Sequence, residues 1–143
     1  MSKLIIIAIL SFGLLACKKE KDKTPEPVVI QTPVTDTSAQ LKYTGSFMDG
    51  PYGYVPGQAK IYQYNNGKTF LRIEGFYASN GSALHVLVSK EMTPLNYLDL
   101  GALQSQTGNQ TYQMSGTPDF TQYKYVCIHC VDYDHLFGSA AIQ

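Results

Sequence analysis

The chain has 143 residues, with eleven lysines and arginines against eleven aspartates and glutamates, three histidines and no tryptophan. That neutral balance carries no basic footprint for a phosphate backbone, so nucleic acid is excluded as a partner. The length suits one domain with a core, preceded by a segment of different character.

That segment begins with Lys3, continues as an apolar run from Leu4 to Ala16 broken only by Ser11 and Gly13, and ends in Leu14-Leu15-Ala16-Cys17. The run is shorter than the roughly 20 residues a membrane-spanning helix needs. A charged start, an apolar stretch and a small residue at the cut are the anatomy of a cleaved signal. Leu-Leu-Ala-Cys resembles a lipobox, in which a thiol just after the cut receives diacylglycerol. Residues 1–16 are therefore read as a lipoprotein signal peptide and Cys17 as the lipid-bearing residue. This predicts a cell-envelope protein held to a membrane by lipid, with the outer membrane as the expected site.

Residues 17–40 follow as a charged and proline-rich tether. Lys18-Lys19-Glu20-Lys21-Asp22-Lys23 is a solvated charge run, and Pro25, Pro27 and Pro33 stiffen what comes next. Such composition gives an extended spacer.

Residues 41–143 are the domain. Six basic side chains face seven acidic ones there, and all eleven tyrosines lie within it. Tyr43 to Phe47 reads as a first strand, and Asp49 to Gly57 as a loop dense in turn formers. Ala59 and Ile61 alternate with Lys60 and Tyr62, a period of two. Asn65-Asn66-Gly67 signals a tight two-residue hairpin turn, with Thr69 to Glu74 as the returning strand. Ala83 to Ser89 alternates Leu84, Val86 and Val88 against His85 and Leu87. Tyr97 to Leu100 is a short apolar stretch. Gly108-Asn109 reads as a turn before a strand at Gln110 to Met114. Tyr123 to Cys130 and His135 to Ile142 end the chain. Short strands divided by turn clusters predict an all-β sandwich or barrel-like domain of antiparallel strands. Tyr52 and Tyr54, in the glycine–proline loop, either stack on a ligand or cover a core edge.

Cys127, His129, Cys130 and His135 are the one chemical constellation of the domain, in a compartment that permits disulfides. Three readings stand side by side. In the first, Cys130 is a redox group, with or without Cys127. Residues three apart on a regular strand face opposite ways, about 10 Å apart, and a disulfide spans no more than about 7 Å. Pairing of the two cysteines would thus need a bulge or turn at Cys130. In the second, Cys127 and His129 share a strand face and His135 folds beside them to bind zinc or copper, or the site takes haem. In the third, Cys130 follows the alternation of Val126 and Ile128 into the core and is packing alone. Asp132 and Asp134 suit turn positions or orient a histidine. No nucleophile-elbow, Walker or zincin motif occurs, so a conventional hydrolase or kinase is not expected.

Six stretches taken in order resemble a known family. They are Phe70-Leu71-Arg72-Ile73-Glu74-Gly75-Phe76, Leu84-His85-Val86-Leu87-Val88-Ser89, Leu98-Asp99-Leu100-Gly101, Tyr112, Tyr125-Val126-Cys127-Ile128-His129-Cys130, and Tyr133 with Phe137-Gly138-Ser139-Ala140. Together they are similar to the DM-thirteen domain, an electron-transfer domain that also occurs beside DOMON domains in animal matrix proteins. The resemblance implies a β-sandwich-like fold and a redox cysteine near the C-terminus, which by position is Cys130. His129 stands where the family usually has tryptophan, and the loop before Gly57 lacks the family's frequent histidine. The resemblance implies an electron-transfer role centred on Cys130, with an unidentified redox partner. The competing expectation is a non-catalytic ligand-binding or adhesion module whose tyrosine-rich loops carry the function.

Overall fold

The computed structural model describes residues 38–143, so the signal, Cys17 and most of the tether lie outside the described residues. Among the described residues there is no helix, and eight strands run in chain order. They are β1 (Ala39–Asp49), β2 (Gln58–Tyr64), β3 (Thr69–Tyr77), β4 (Leu84–Ser89), β5 (Tyr97–Ala102), β6 (Thr107–Gln113), β7 (Tyr125–Cys130) and β8 (His135–Ala141). All neighbours pair antiparallel, in the order β5-β4-β7-β8-β1-β2-β3-β6. The sheet curls into a nearly closed barrel, and the all-β expectation holds.

The curl follows from side-chain alternation. Ala59 and Ile61 on β2, Leu71 and Ile73 on β3, Val86 and Val88 on β4, and Val126 and Ile128 on β7 are fully buried and form one cluster. Residues of one strand face recur every second position, so these pairs aim at one interior. β1 is the hinge of the arrangement. Its first half pairs with β2, from Ala39↔Tyr64 to Ser46↔Gln58, and its end pairs with β8 at Phe47↔Ala140 through Asp49↔Gly138. The strand is therefore longer at both ends than the apolar signal of Tyr43 to Phe47.

Two turn expectations are corrected. The β2–β3 connection is a three-residue loop. Gly67 N–H donates to the Tyr64 carbonyl at 2.9 Å and Tyr64 N–H to the Lys68 carbonyl at 2.9 Å. A type I turn closed by a left-handed glycine gives this form, and Gly67 has φ +80°. Gly108-Asn109 is no turn but lies inside β6. The β3–β6 register slips between Ile73 and Phe76, where Gly75 adopts φ +57° and Gly108, the partner of Phe76, adopts φ +88°. The Asn109 side-chain oxygen accepts the Gly75 N–H at 3.0 Å. Glycine and asparagine here make a β-bulge, which increases local twist.

The barrel stays open between its edge strands β5 and β6. A cleft of about 250 Å³ lies there, lined by Leu98, Asp99, Leu100, Gln113, Met114 and Ser115. Gln104 partly spans the gap, donating its N–H to the Tyr112 hydroxyl at 2.9 Å.

Candidate functional site

Strand β7 sets the site. It lies between β4 and β8 and is covered on both faces, so Val126 through Cys130 are all buried. Val126, Ile128 and Cys130 join the barrel interior. Cys127 joins Leu87 and Leu136 in a second, outer cluster flanked by Tyr125. The alternation thus places the two cysteines on opposite faces, and both are free thiols. The register shift of β7 against β8 falls between Ile128 and His129, not at Cys130. No bulge brings the two sulfurs together.

The two thiols differ in surroundings. Cys127 is fully buried, and its thiol donates to the Met92 carbonyl at 3.4 Å. Burial pushes its pKa up to about 12. Thiolate is the reactive form, so Cys127 is chemically quiet. Cys130 is 2 % exposed, and its Sγ lies 3.9 Å from the Ser82 hydroxyl on the loop before β4. Among the described residues Ser82 is the one side chain hydrogen-bonded to it, and nothing in the sequence around Ser82 announces that contact.

The histidines are separated by the same geometry. His129, 5 % exposed, sits on the outer face with Cys127, as the alternation predicts. Its Nε2 lies 3.2 Å from Asp134 Oδ1, and its Nδ1 is buried with no hydrogen-bond partner among the described residues. Asp134 takes φ +54° at the β7–β8 hairpin. It thus fills both roles expected of it, turn residue and histidine holder. His135 pairs with Cys130 across β7 and β8. Its ring stacks on Tyr52, with centroids 3.6 Å apart and planes at 4°, and also contacts Tyr133 at 5.9 Å. His85 faces His129 in the β4–β7 register, but its Nδ1 lies 2.8 and 3.0 Å from the two Asp99 oxygens. The sequence carries no local signal for that pair, because Asp99 is fourteen residues away on β5.

Cys127, His129 and His135 are therefore not gathered as a ligand set. Among the described residues no three histidine, cysteine, aspartate or glutamate side chains come together to hold a metal ion. The residues present do not fit a three-ligand metal centre, so no chemical step is drawn through one.

The burial of His129 predicts a loss of stability in acid. Burial lowers its pKa, Asp134 pulls it back up, and His135 adds to the lowering. A group whose pKa is depressed on folding contributes stability above its ordinary value of 6.5, and that contribution disappears as pH falls through the folded value. Urea unfolding followed downward from pH 7 is expected to show falling stability in the parent and a flatter profile in His129→Phe. Parallel profiles would remove His129 as the cause.

Comparison with known proteins adds one finding. The family model described as Electron transfer DM13 matches residues 47–142, two thirds of the chain and nearly all of the barrel. No curated protein and no solved structure matches.

Proposed function

The chain belongs to the electron transfer DM13 family, and we propose that it exchanges electrons in the cell envelope with Cys130 as the redox-active group. One observation carries the choice of residue. Of the two thiols in the matched region, Cys130 sits inside the barrel beside Ser82, whereas Cys127 is held as a thiol on the opposite face. On this reading Cys130 forms no intramolecular disulfide, and its oxidation releases one electron and the thiol proton to a one-electron acceptor supplied by the redox partner.

The test compares electron exchange with a small redox reagent in the parent, Cys130→Ser and Cys127→Ser. Loss in Cys130→Ser, with the melting temperature retained, supports the assignment. Unchanged exchange in Cys130→Ser sinks it. The rival reading, a binding or adhesion module, draws on the exposure of Tyr52, Tyr54 and Tyr133. In that reading Cys130→Ser changes stability alone.

The envelope location rests on the lipobox-like Leu14-Leu15-Ala16-Cys17. A lipid on Cys17, followed by a charged and proline-rich spacer, would hold the barrel off an outer-membrane surface. Cys17→Ala is expected to shift the protein out of the membrane fraction or leave an uncleaved precursor. Normal lipid labelling of Cys17→Ala would show that another residue carries the anchor.

A further inference from the structure

One end of the barrel gathers the loops 50–57, 78–83, 103–106 and 131–134. Backbone bonds tie them together, from Ala78 to Gln106 at 2.8 Å, Ser79 to Tyr54 at 3.1 Å and Val131 to Ala83 at 3.1 Å. The 50–57 loop is also fixed to β8, since Gly50 N–H donates to the Phe137 carbonyl at 2.7 Å and Tyr52 N–H to the Leu136 carbonyl at 3.3 Å. Asp49 Oδ1 accepts the Val55 N–H at 2.7 Å, and the Ser79 hydroxyl accepts the Tyr54 N–H at 3.1 Å. The loop is thus held in shape before any ligand arrives.

This fixed end presents aromatic surface. Tyr52 is 55 % exposed, Tyr54 58 % and Tyr133 66 %, with Val131 beside them at 40 %. His135 lies flat against Tyr52 and contacts Tyr133, so the three rings form one platform. Cys130 is the strand partner of His135, so its backbone lies directly beside that of a platform residue. The charge is of one sign. The four loops contain Asp132 and Asp134 and no lysine or arginine, and the Asp134 side chain is 93 % exposed.

We propose that this end is the docking surface for a redox partner protein whose contact face carries lysines or arginines around an apolar centre. Tyrosines are enriched in the centres of protein interfaces, where they supply most of the binding energy. Acidic groups at the rim steer a cationic partner and set its orientation. Interfaces of redox pairs are small and short-lived, which suits a platform of three rings. Cys130 is too buried for direct contact, and its strand neighbour His135 links it to the platform. The partner's redox character rests on the electron-transfer reading, while its basic face rests on the charge and aromatics of the platform alone.

The experiment uses the isotope-labelled full chain carrying Cys17→Ala, in neutral micelles, with a lysine-rich c-type cytochrome as probe. At low salt, amide shifts are expected at Gly50, residues 52–54 and residues 131–135. Binding should weaken by about tenfold or more in 0.5 M salt. It should also weaken about tenfold in Asp132→Lys and in Tyr133→Ser, two exposed positions, each checked for a parent-like spectrum elsewhere. Cys130→Ser should bind as the parent does, which keeps failure of the redox residue apart from failure of the surface. Absent shifts, shifts on another face, or indifference to Asp132→Lys would overturn the proposal. Salt-independent shifts of the same amides with neutral sugar oligomers, and none with the cytochrome, would make the platform a glycan site and overturn it too.

Discussion

Gly45→Ala is expected to lower the unfolding free energy by about 3 kcal/mol, the upper end of ordinary overpacking. Away from steric conflict, replacing glycine by alanine stabilises by about 0.4–1 kcal/mol, through the entropy of the unfolded chain. The sign is reversed here by the position. Gly45 pairs with Ala59 on β2 just before β1 passes to β8. A Cβ there would meet the Ala141 carbonyl carbon at 2.8 Å, with the carbonyl oxygen closer still and the Ile142 nitrogen at 3.3 Å. These are backbone atoms and cannot swing aside. The neighbouring Thr44 is bonded to Gln143 in both directions at 3.1 Å. Relief would have to open the junction that joins the two halves of the barrel. Urea or thermal unfolding measures the loss, and a variant within about 0.5 kcal/mol of the parent would show that β1 and β8 do not approach so closely.

The second large effect is alkaline. Cys127 is fully buried and its pKa rises from 9.0 to about 12 on folding. A raised pKa means that the folded state holds its proton while the unfolded state gives it up. The stability is complete below pH 9 and is lost as pH rises toward about 12. A shift of about three units corresponds to roughly 4 kcal/mol at the top of that window. Tyr112, raised by burial from 10.0 to about 12, adds to the loss above pH 10. Unfolding free energies taken upward from pH 8 should fall more steeply in the parent than in Cys127→Ala. The slope isolates the titration from any constant cost of the smaller side chain. Equal slopes would mean that the thiol of Cys127 is not sealed from water.

Much of this architecture is written locally. The alternation of Ala59 and Ile61, of Val86 and Val88, and of Val126 and Ile128 marks β2, β4 and β7, because a half-buried strand demands a period of two. The same alternation carries Cys130 inward and leaves Cys127 with His129 on the other face. What escaped the sequence depends on long-range partners. β1 runs beyond Tyr43 to Phe47 because it borrows two different neighbours, and a polar stretch such as Gln40-Leu41-Lys42 advertises neither. Gly108-Asn109 looks like a turn, since the same backbone freedom serves the strand facing the bulge at Gly75. His85–Asp99 and Cys130–Ser82 join residues from separate loops and strands. The separation of His135 from His129 likewise comes from its stacking on Tyr52, across more than eighty residues of chain. Thiol spacing alone offered a dithiol, a metal set and a packed core. The strand faces decide against the dithiol, no three ligating side chains gather among the described residues, and Cys130 is left a single buried thiol.

The central claim is that electron exchange tracks Cys130 and needs no second thiol. Its most direct test is a redox titration of the full chain, with Cys17→Ala as the common background, in Cys127→Ser and Cys130→Ser. Electron uptake and release that persist in Cys127→Ser and vanish in Cys130→Ser are the predicted result. A signal that requires both cysteines, with oxidation removing two hydrogens per chain in the intact mass, would contradict it. That result would mean that Cys127 and Cys130 meet in a disulfide.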